Sequence, residues 1–179
     1  MQAMKLVAML AAAATEAFAQ ASTRRVIVSI PDRKMVLLED GKVVKVYGVA
    51  VGKTSTPTPS GSFHIESRVQ RPTWYTPGKV VGPGASNPLG TRWMGLGYKG
   101  YGIHGTNVPR SIGKAASHGC VRMRNRDVEE LFDLVKVGDA VELVTETSEE
   151  LARIFNPNGP EKTDAHKATI LVASAGGEL

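Results

Sequence analysis

The chain has 179 residues, of which 42% are hydrophobic and 22% charged, with 19 Gly, 10 Pro and a single Cys. This composition excludes a disordered chain and a disulfide framework, and the length predicts one compact domain with a core of its own. The net charge of +5 favours an anionic partner. Because the 22 Lys and Arg residues are scattered and form no run of five, nucleic acid is not expected as that partner.

The first 19 residues differ from the rest of the chain. Lys5 precedes the apolar stretch Leu6–Ala14, and Ala17–Ala19 has the small-x-small pattern of a cleavage site. A membrane span needs about 20 apolar residues, roughly twice the length of this stretch. We therefore predict a signal peptide over residues 1–19, export to the periplasm or cell wall, and no stable membrane anchor after cleavage.

The region after the predicted signal peptide has the patterns of β-strands. Arg24–Ile30 alternates apolar and polar residues, and Lys34–Glu39 is a second apolar run. Asp40-Gly41 is a strong hairpin signal and leads into the Val-rich stretch Lys42–Val51. These stretches predict an antiparallel meander of two or three strands.

A long segment rich in Gly and Pro follows a further strand predicted at Gly61–Ser67. The segment Arg68–Gly100 contains four prolines and is predicted to be an irregular lid or binding loop. Its aromatic residues either line a groove or pin the loop to the core. Tyr101–His104 and Cys120–Met123 are short strand candidates, and their polar neighbours place both near a surface.

One helix is predicted from the spacing of its apolar residues. It covers about 126–135 with Asn125 as its N-cap, because Val, Leu, Phe and Val recur at i, i+3, i+4 and i+7. Ala140–Val144 is predicted to be the final strand, and Ser148 to cap a short helix. The fold class is therefore mainly β.

Two apparent signatures do not fit their structural context. Gly95–Gly100 matches GxGxxG, but it lies in the Gly/Pro segment without the strand and helix that a dinucleotide site needs. Ser111–Lys114 matches SxxK of penicillin-binding serine enzymes, but no Lys-Thr-Gly element follows it.

The single Cys lies in a segment suited to nucleophilic chemistry. Ser117–Arg122 reads SHGCVR, and His104 lies sixteen residues before the Cys. An imidazole can take the proton of Cys120 and return it to an amine leaving group. These residue types alone do not decide whether His104 or His118 is that base. Backbone N–H groups at Gly119 and Cys120 are candidates for stabilising an oxyanion.

This pattern closely resembles the catalytic domain of the L,D-transpeptidases, the YkuD family. The resemblance extends to Tyr101–Asn107, Val51–Phe63 and Asn87–Gly90, and it predicts a catalytic domain over residues 24–146, which is most of the chain after the predicted signal peptide. It implies a mainly β, YkuD-like sandwich or barrel with the one helix and the long Gly/Pro loop. Residues 147–179 have no counterpart in the resemblance and are predicted to be a C-terminal extension, whose tail from Glu161 onward is either flexible or adds a strand at Thr169–Ala173.

The resemblance also implies roles for individual residues. Cys120 corresponds to the nucleophile, His104 to the base, and the Gly105 carbonyl to the group that orients the imidazole. Supporting or oxyanion roles are assigned to His118, Gly119 and Ser117. Substrate binding is assigned to Arg122, Tyr101 and Asn107, with Arg122 meeting a substrate carboxylate or, alternatively, forming a surface ion pair.

The implied activity is that of an exported cysteine acyltransferase acting on peptidoglycan stem peptides. The acceptor is an amine of another stem or of a protein lysine, and water in its place would make the enzyme an L,D-carboxypeptidase. A different class of function, a non-catalytic cell-wall binding module, is also consistent with the basic charge. No cofactor is expected, and one Cys without a tight His cluster predicts no metal site.

Overall fold

Thirteen strands, two α-helices and one 3-10 turn make up residues 23–98 and 100–158, which are the residues described by the computed structural model. The predicted signal peptide and residues 159–179 of the predicted extension lie outside the described residues. The helices are α1 (Asn125–Leu134) and α2 (Glu149–Phe155), and the 3-10 turn is Pro109–Ser111. In chain order, the strands are β1 (Arg24–Ser29), β2 (Lys34–Glu39), β3 (Lys42–Gly48), β4 (Val51–Gly52), β5 (Gly61–His64), β6 (Ser67–Gln70), β7 (Trp74–Thr76), β8 (Lys79–Val81), β9 (Arg92–Gly95), β10 (Gly102–His104), β11 (Ala115–Ser117), β12 (Val121–Arg122) and β13 (Ala140–Val144).

The predicted meander forms three strands of a five-stranded sheet with the order β3-β2-β1-β13-β5. Asp40 and Gly41 join β2 to β3 with positive φ values of 49° and 76°, which fits the two-residue hairpin that the sequence predicts. The final strand β13 lies parallel to β1, with Val26 opposite Val141. The prediction for this part of the fold is confirmed.

The five-stranded sheet is buried on both faces over its central strands. On one face, Val26, Val28 and Met35 join the main core, which also contains residues of α1. On the other face, side chains of β1 and β2 pack against Leu151 and Phe155 of α2. The predicted extension therefore begins with a helix that packs on the sheet. Ser148 caps this helix as predicted, its Oγ accepting from the Leu151 N–H at 3.2 Å.

A second sheet has four strands in the order β12-β10-β9-β6. Its strands β10 and β12 were predicted near a surface, but Ile103 is fully buried and Val121 is 1% exposed. The prediction failed because the polar neighbours of both strands point to one face of the sheet while the alternate residues enter the core.

The segment predicted as a long irregular loop contains β9 and nearly all of β6, two of the four strands of this second sheet. The strands β6 and β9 pair with each other, and β7 and β8 form a hairpin around Pro77-Gly78. Gly78 has a φ of 73°, which a type II turn with Pro at its second position requires. The prolines therefore separate short strands, and the reading of 68–100 as wholly irregular was wrong.

The predicted helix is present, but its start differs from the prediction. Helix α1 begins at Asn125, its N-cap is Arg124, and no side chain caps it. The Asn125 side chain instead accepts a hydrogen bond from the Thr106 N–H at 3.1 Å. Neither α1 nor α2, the helices of the described residues, has the length and apolarity needed to cross a membrane.

Candidate active site

The four-stranded sheet directs alternate rows of side chains to opposite faces. One row crosses all four strands and lines a pocket of about 940 Å³; its members are Arg122, His104, Trp93 and Val69. The adjacent row enters the core beneath the pocket; its members are Val121, Ile103 and Met94. A single strand, β10, thus places Ile103 in the core and His104 at the pocket.

Cys120 lies immediately before β12, on the same side as Arg122 because side chains alternate along the strand. Continuing the parallel register by one pair places Cys120 beside Gly102. A Cβ at Gly102 would lie 2.7 Å from the Trp93 indole and 2.6 Å from the Met94 carbonyl oxygen. Glycine at this position therefore leaves the space that the Trp93 indole occupies in the pocket lining.

The turn Ser117–Cys120, called here the Cys120 turn, is held by one hydroxyl. The Ser117 Oγ accepts from the Gly119 N–H at 3.0 Å and donates to the Cys120 carbonyl oxygen at 2.6 Å. Gly119 has a φ of 113°, and a Cβ there would lie 2.4 Å from the Tyr101 ring. Both the backbone conformation and the close approach of Tyr101 require glycine at this position.

The His104 imidazole is oriented by the carbonyl of the following residue. Nδ1 lies 2.6 Å from the Gly105 carbonyl oxygen. Because a carbonyl only accepts, Nδ1 carries the proton and donates, and Nε2 keeps its lone pair as the proton acceptor. The Trp93 ring stacks on the imidazole with centroids 5.7 Å apart. His104 can therefore act as a base through Nε2.

Burial lowers the pKa of His104 to about 4, and the positive charge of Arg122 also acts to lower it. Hydrogen bonding to the backbone of Gly105 and Leu89 acts to raise this pKa but does not outweigh burial. The pKa of Cys120 is raised by burial, although the Gly102 backbone and Arg122 both act to lower it. The pair is therefore a neutral imidazole and a protonated thiol at neutral pH. The thiol donates to the Gly100 carbonyl oxygen at 3.4 Å.

Asn125 connects the start of α1 to the backbone that orients His104. Its Oδ1 accepts from the Thr106 N–H, and a Cβ at Gly105 or Gly90 would lie only 2.3 or 2.1 Å from the same oxygen. Two glycines therefore leave the space that the Asn125 side chain fills. The Gly105 carbonyl is fixed between His104 and this contact.

The pocket is bounded by residues from the segment predicted as a loop. Trp74 and Tyr75 of the β7–β8 hairpin and Leu89 line it together with Trp93. Of the two roles left open for the aromatic residues, these side chains line the groove. The pocket lining contains arginine and histidine but no Asp or Glu.

A family model described as the YkuD L,D-transpeptidase catalytic domain matches residues 23–143. The chain belongs to the YkuD family. The resemblance stated from the sequence is thereby confirmed, and the mainly β class of the YkuD domain agrees with the observed sheets.

Individual relatives support the assignment of the YkuD domain. YqjB of Bacillus subtilis, whose name assigns it to the L,D-transpeptidases, is 40% identical to this chain over 134 residues. The matched region is 72% of this chain and 75% of YqjB. YkuD of Bacillus licheniformis is 44% identical over 66% of this chain and 64% of its own length. A solved L,D-transpeptidase of Enterococcus faecium superposes with a TM-score of 0.59 at 25% identity, covering 68% of this chain and 50% of that one. The chain thus spans between half and three quarters of these proteins.

The YkuD domain brings most of the predicted site residues together. Cys120, His104, Ser117, His118 and Arg122 all line the pocket. His118 is exposed. Among the described residues, Arg122 has no carboxylate within ion-pair distance, so the surface ion pair considered from the sequence does not form there.

Three predicted residues have contacts that differ from their predicted roles. The Gly119 N–H is taken by Ser117 within the Cys120 turn, so in this conformation it does not point to an oxyanion. Tyr101 packs against Gly119 rather than lining the pocket. Asn107 lies outside the pocket lining, and its Nδ2 donates to the Ser86 carbonyl oxygen at 3.0 Å.

Trp93, Leu89 and Asn125 were not identified as site residues from the sequence. Trp93 alternates with the core residue Met94, and that alternation signals a strand with one pocket face. The contacts of Leu89 and Asn125 depend on segments far apart in sequence, which a local pattern does not reveal. No group of three or more His, Cys, Asp or Glu residues within 23–98 and 100–158 is placed to hold a metal ion.

Proposed function

We propose that this protein is an L,D-transpeptidase that acts on peptidoglycan tetrapeptide stems through a thioester on Cys120. The observation that carries the proposal is the His104 imidazole, held by the Gly105 carbonyl, on the same face of the sheet as Cys120. The family match and the pocket support it. The apolar stretch before the predicted cleavage site supports an exported location, in the periplasm or cell wall.

In the first step, Cys120 attacks the carbonyl at the L-centre of the diamino acid in the donor stem. The His104 Nε2 takes the thiol proton as the sulfur–carbon bond forms, and the adjacent Arg122 stabilises the negative charge that develops on the carbonyl oxygen. Collapse of this intermediate breaks the amide bond. His104 gives its proton to the nitrogen of the leaving D-Ala, and the thioester remains.

In the second step, an amine attacks the thioester carbonyl. His104 takes a proton from the attacking nitrogen, the new amide bond forms, and the Cys120 sulfur leaves and recovers its proton. The amine comes from a second stem or from a protein lysine. With water in place of the amine, the product is a free tripeptide and the enzyme is an L,D-carboxypeptidase.

The test is to incubate the protein with purified disaccharide-tetrapeptide and to separate the products by chromatography and mass spectrometry. Release of D-Ala together with a cross-linked dimer supports transpeptidation. Release of D-Ala with tripeptide as the sole other product supports the carboxypeptidase reaction or a requirement for a protein acceptor. Retention of peptidoglycan without any D-Ala release, from folded protein with a free thiol, contradicts the proposal and favours the binding module.

A further inference from the structure

The pocket contains two guanidinium groups without a carboxylate to neutralise them. Arg71 and Arg122 both line it, and none of the described Asp and Glu residues does. None of the ion pairs formed within the described residues involves either arginine. A cavity lined by one sign of charge attracts a ligand of the opposite sign. The pocket is therefore built for an anionic ligand with more than one acceptor group.

The two arginines come from opposite edges of the four-stranded sheet. Arg122 lies on β12, and Arg71 directly follows β6 at the other edge. Arg71 follows Val69 of the pocket row by two residues, and its place in the pocket lining shows that it faces the same side of the sheet as Arg122. Cys120 directly precedes β12, which is separated from β6 by three strand spacings, roughly 15 Å. The exposed side chain of Arg71 and the ligand together span that distance.

The backbone of Arg71 is held in an unfavourable conformation. Its φ is 50°, in the left-handed region, and it precedes Pro72, which further restricts it. The Arg71 N–H donates to the Thr91 carbonyl oxygen at 2.9 Å and fixes this bend against the segment before β9. Strain of this kind is retained where the surrounding structure enforces it, and it occurs often at ligand sites.

We propose that Arg71 binds a free carboxylate on the second residue of the donor stem. The inference rests on the proposed function, in which the carbonyl of the third residue reacts at Cys120. The stem then crosses the pocket floor over Trp93 toward Arg71, while the terminal carboxylate lies on the Arg122 side. A guanidinium matches a carboxylate with two parallel hydrogen bonds, whereas a carboxamide offers one acceptor and no charge. Arg71 thereby selects stems whose second residue is not amidated.

The experiment compares two tetrapeptide donors that differ only in a carboxylate or a carboxamide on the second residue. With the unmodified protein, we expect kcat/KM to be at least tenfold higher for the carboxylate donor, since hydrogen bonds between charged groups are stronger than those to a neutral carboxamide. Arg71→Gln should lower kcat/KM for the carboxylate donor to the value for the carboxamide donor. Arg71→Lys should keep part of the preference, because it retains the charge but not the paired geometry.

Arg33→Gln is the matched control. Arg33 is also an exposed arginine with a left-handed φ, of 53°, but it lies outside this pocket. This variant should keep the preference for the carboxylate donor. A preference that survives in Arg71→Gln, or an equal loss on both donors, would overturn the proposal.

A binding measurement separates this inference from the proposed function. Cys120→Ser and Cys120→Ser/Arg71→Gln are titrated with both donors by calorimetry, so that no turnover is needed. Tighter binding of the carboxylate donor that disappears in the double variant supports the role of Arg71 even if no acyl transfer is detected. Equal binding of the two donors by Cys120→Ser contradicts it, even if the protein turns out to be an active transpeptidase.

Discussion

The two faces of the four-stranded sheet differ in what they contact, although they share the same strands. The core face carries Met94, Ile103 and Val121, which are at most 1% exposed. The pocket face carries Trp93, His104 and Arg122 in the same register. On each of these strands, the residue that packs in the core and the residue that lines the pocket are direct neighbours in the sequence.

This difference shows how the fold fixes the reactive groups. A strand directs neighbouring side chains to opposite faces, so the burial of Ile103 determines where His104 points. Close packing in the core holds the backbone of β10 and β12 in place. The loops then add only the Gly105 carbonyl and the Cys120 turn. Changes on one face should therefore affect stability, and changes on the other should affect turnover.

The largest expected effect comes from replacing adjacent residues on the two faces. His104→Ala should lower kcat/KM by about 10³-fold, because it removes the base, and should lower the unfolding free energy less than a core truncation does, because the loss is limited to the ring contacts and the hydrogen bond to the Gly105 carbonyl. Ile103→Ala should instead lower the unfolding free energy by about 2–5 kcal/mol through a core cavity. Urea unfolding and D-Ala release measure the two quantities. If both variants lost the same stability, the separation of the faces would be wrong.

The next effect concerns the Cys120 turn. Gly119→Ala should lower kcat about 100-fold, because the new methyl group meets Tyr101 and displaces the nucleophile. Gly138→Ala is the control, since Gly138 also has a positive φ, of 94°, but has open space at its Cβ position. The control should lose stability but keep its turnover number. Equal turnover in the two variants would show that the contact with Tyr101 does not position Cys120.

A smaller effect is expected at Asn125. Asn125→Ala leaves the Thr106 N–H without its acceptor, which costs about 1–3 kcal/mol of stability. Because the neighbouring Gly105 carbonyl orients His104, kcat should also fall, by about tenfold. Asn125→Asp keeps an acceptor oxygen at this position and should restore most of the turnover. Loss of stability without a change in kcat would limit Asn125 to a structural role.

The smallest effect is on pH dependence. His104 has a pKa of about 4 in the folded protein and about 6.5 when unfolded. As the pH falls from 6.5 toward 4, the unfolded chain binds the proton first, so the unfolding free energy decreases by at most about 1.4 kcal/mol per pH unit. His104→Gln should lack this part of the decrease. Urea midpoints at pH 7 and pH 4.5 for both proteins measure it, and identical decreases would contradict the buried neutral imidazole.

The five-stranded sheet could be predicted from sequence because its signals are local. Alternation in Arg24–Ile30 and the Asp40-Gly41 turn define neighbouring strands without reference to the rest of the chain. The strands β7 to β9 have three or four residues each, too few for a periodic pattern, and their pairing depends on long-range contacts. That is why the segment 68–100 was predicted as irregular.

The same contrast holds for the site. His104, Cys120 and their neighbours carry a specific motif and could be recognised from it. Asn125 was predicted as an N-cap because the capping rule considers only the following helix, whereas its actual partner is the Thr106 N–H, nineteen residues before it. Arg71, which forms no ion pair within the part of the chain that the structure describes, also becomes evident as a pocket residue only in the folded sheet.

The most direct test of the central claim is the intact mass of the protein after mixing with a tetrapeptide donor. We predict an adduct with the mass of the donor minus D-Ala, located on Cys120 by peptide mapping and absent from Cys120→Ala. His104→Ala should form the same adduct at a much lower rate. Undiminished D-Ala release by Cys120→Ala, or an adduct on another residue, would contradict the assignment of the pocket face to cysteine acyl transfer.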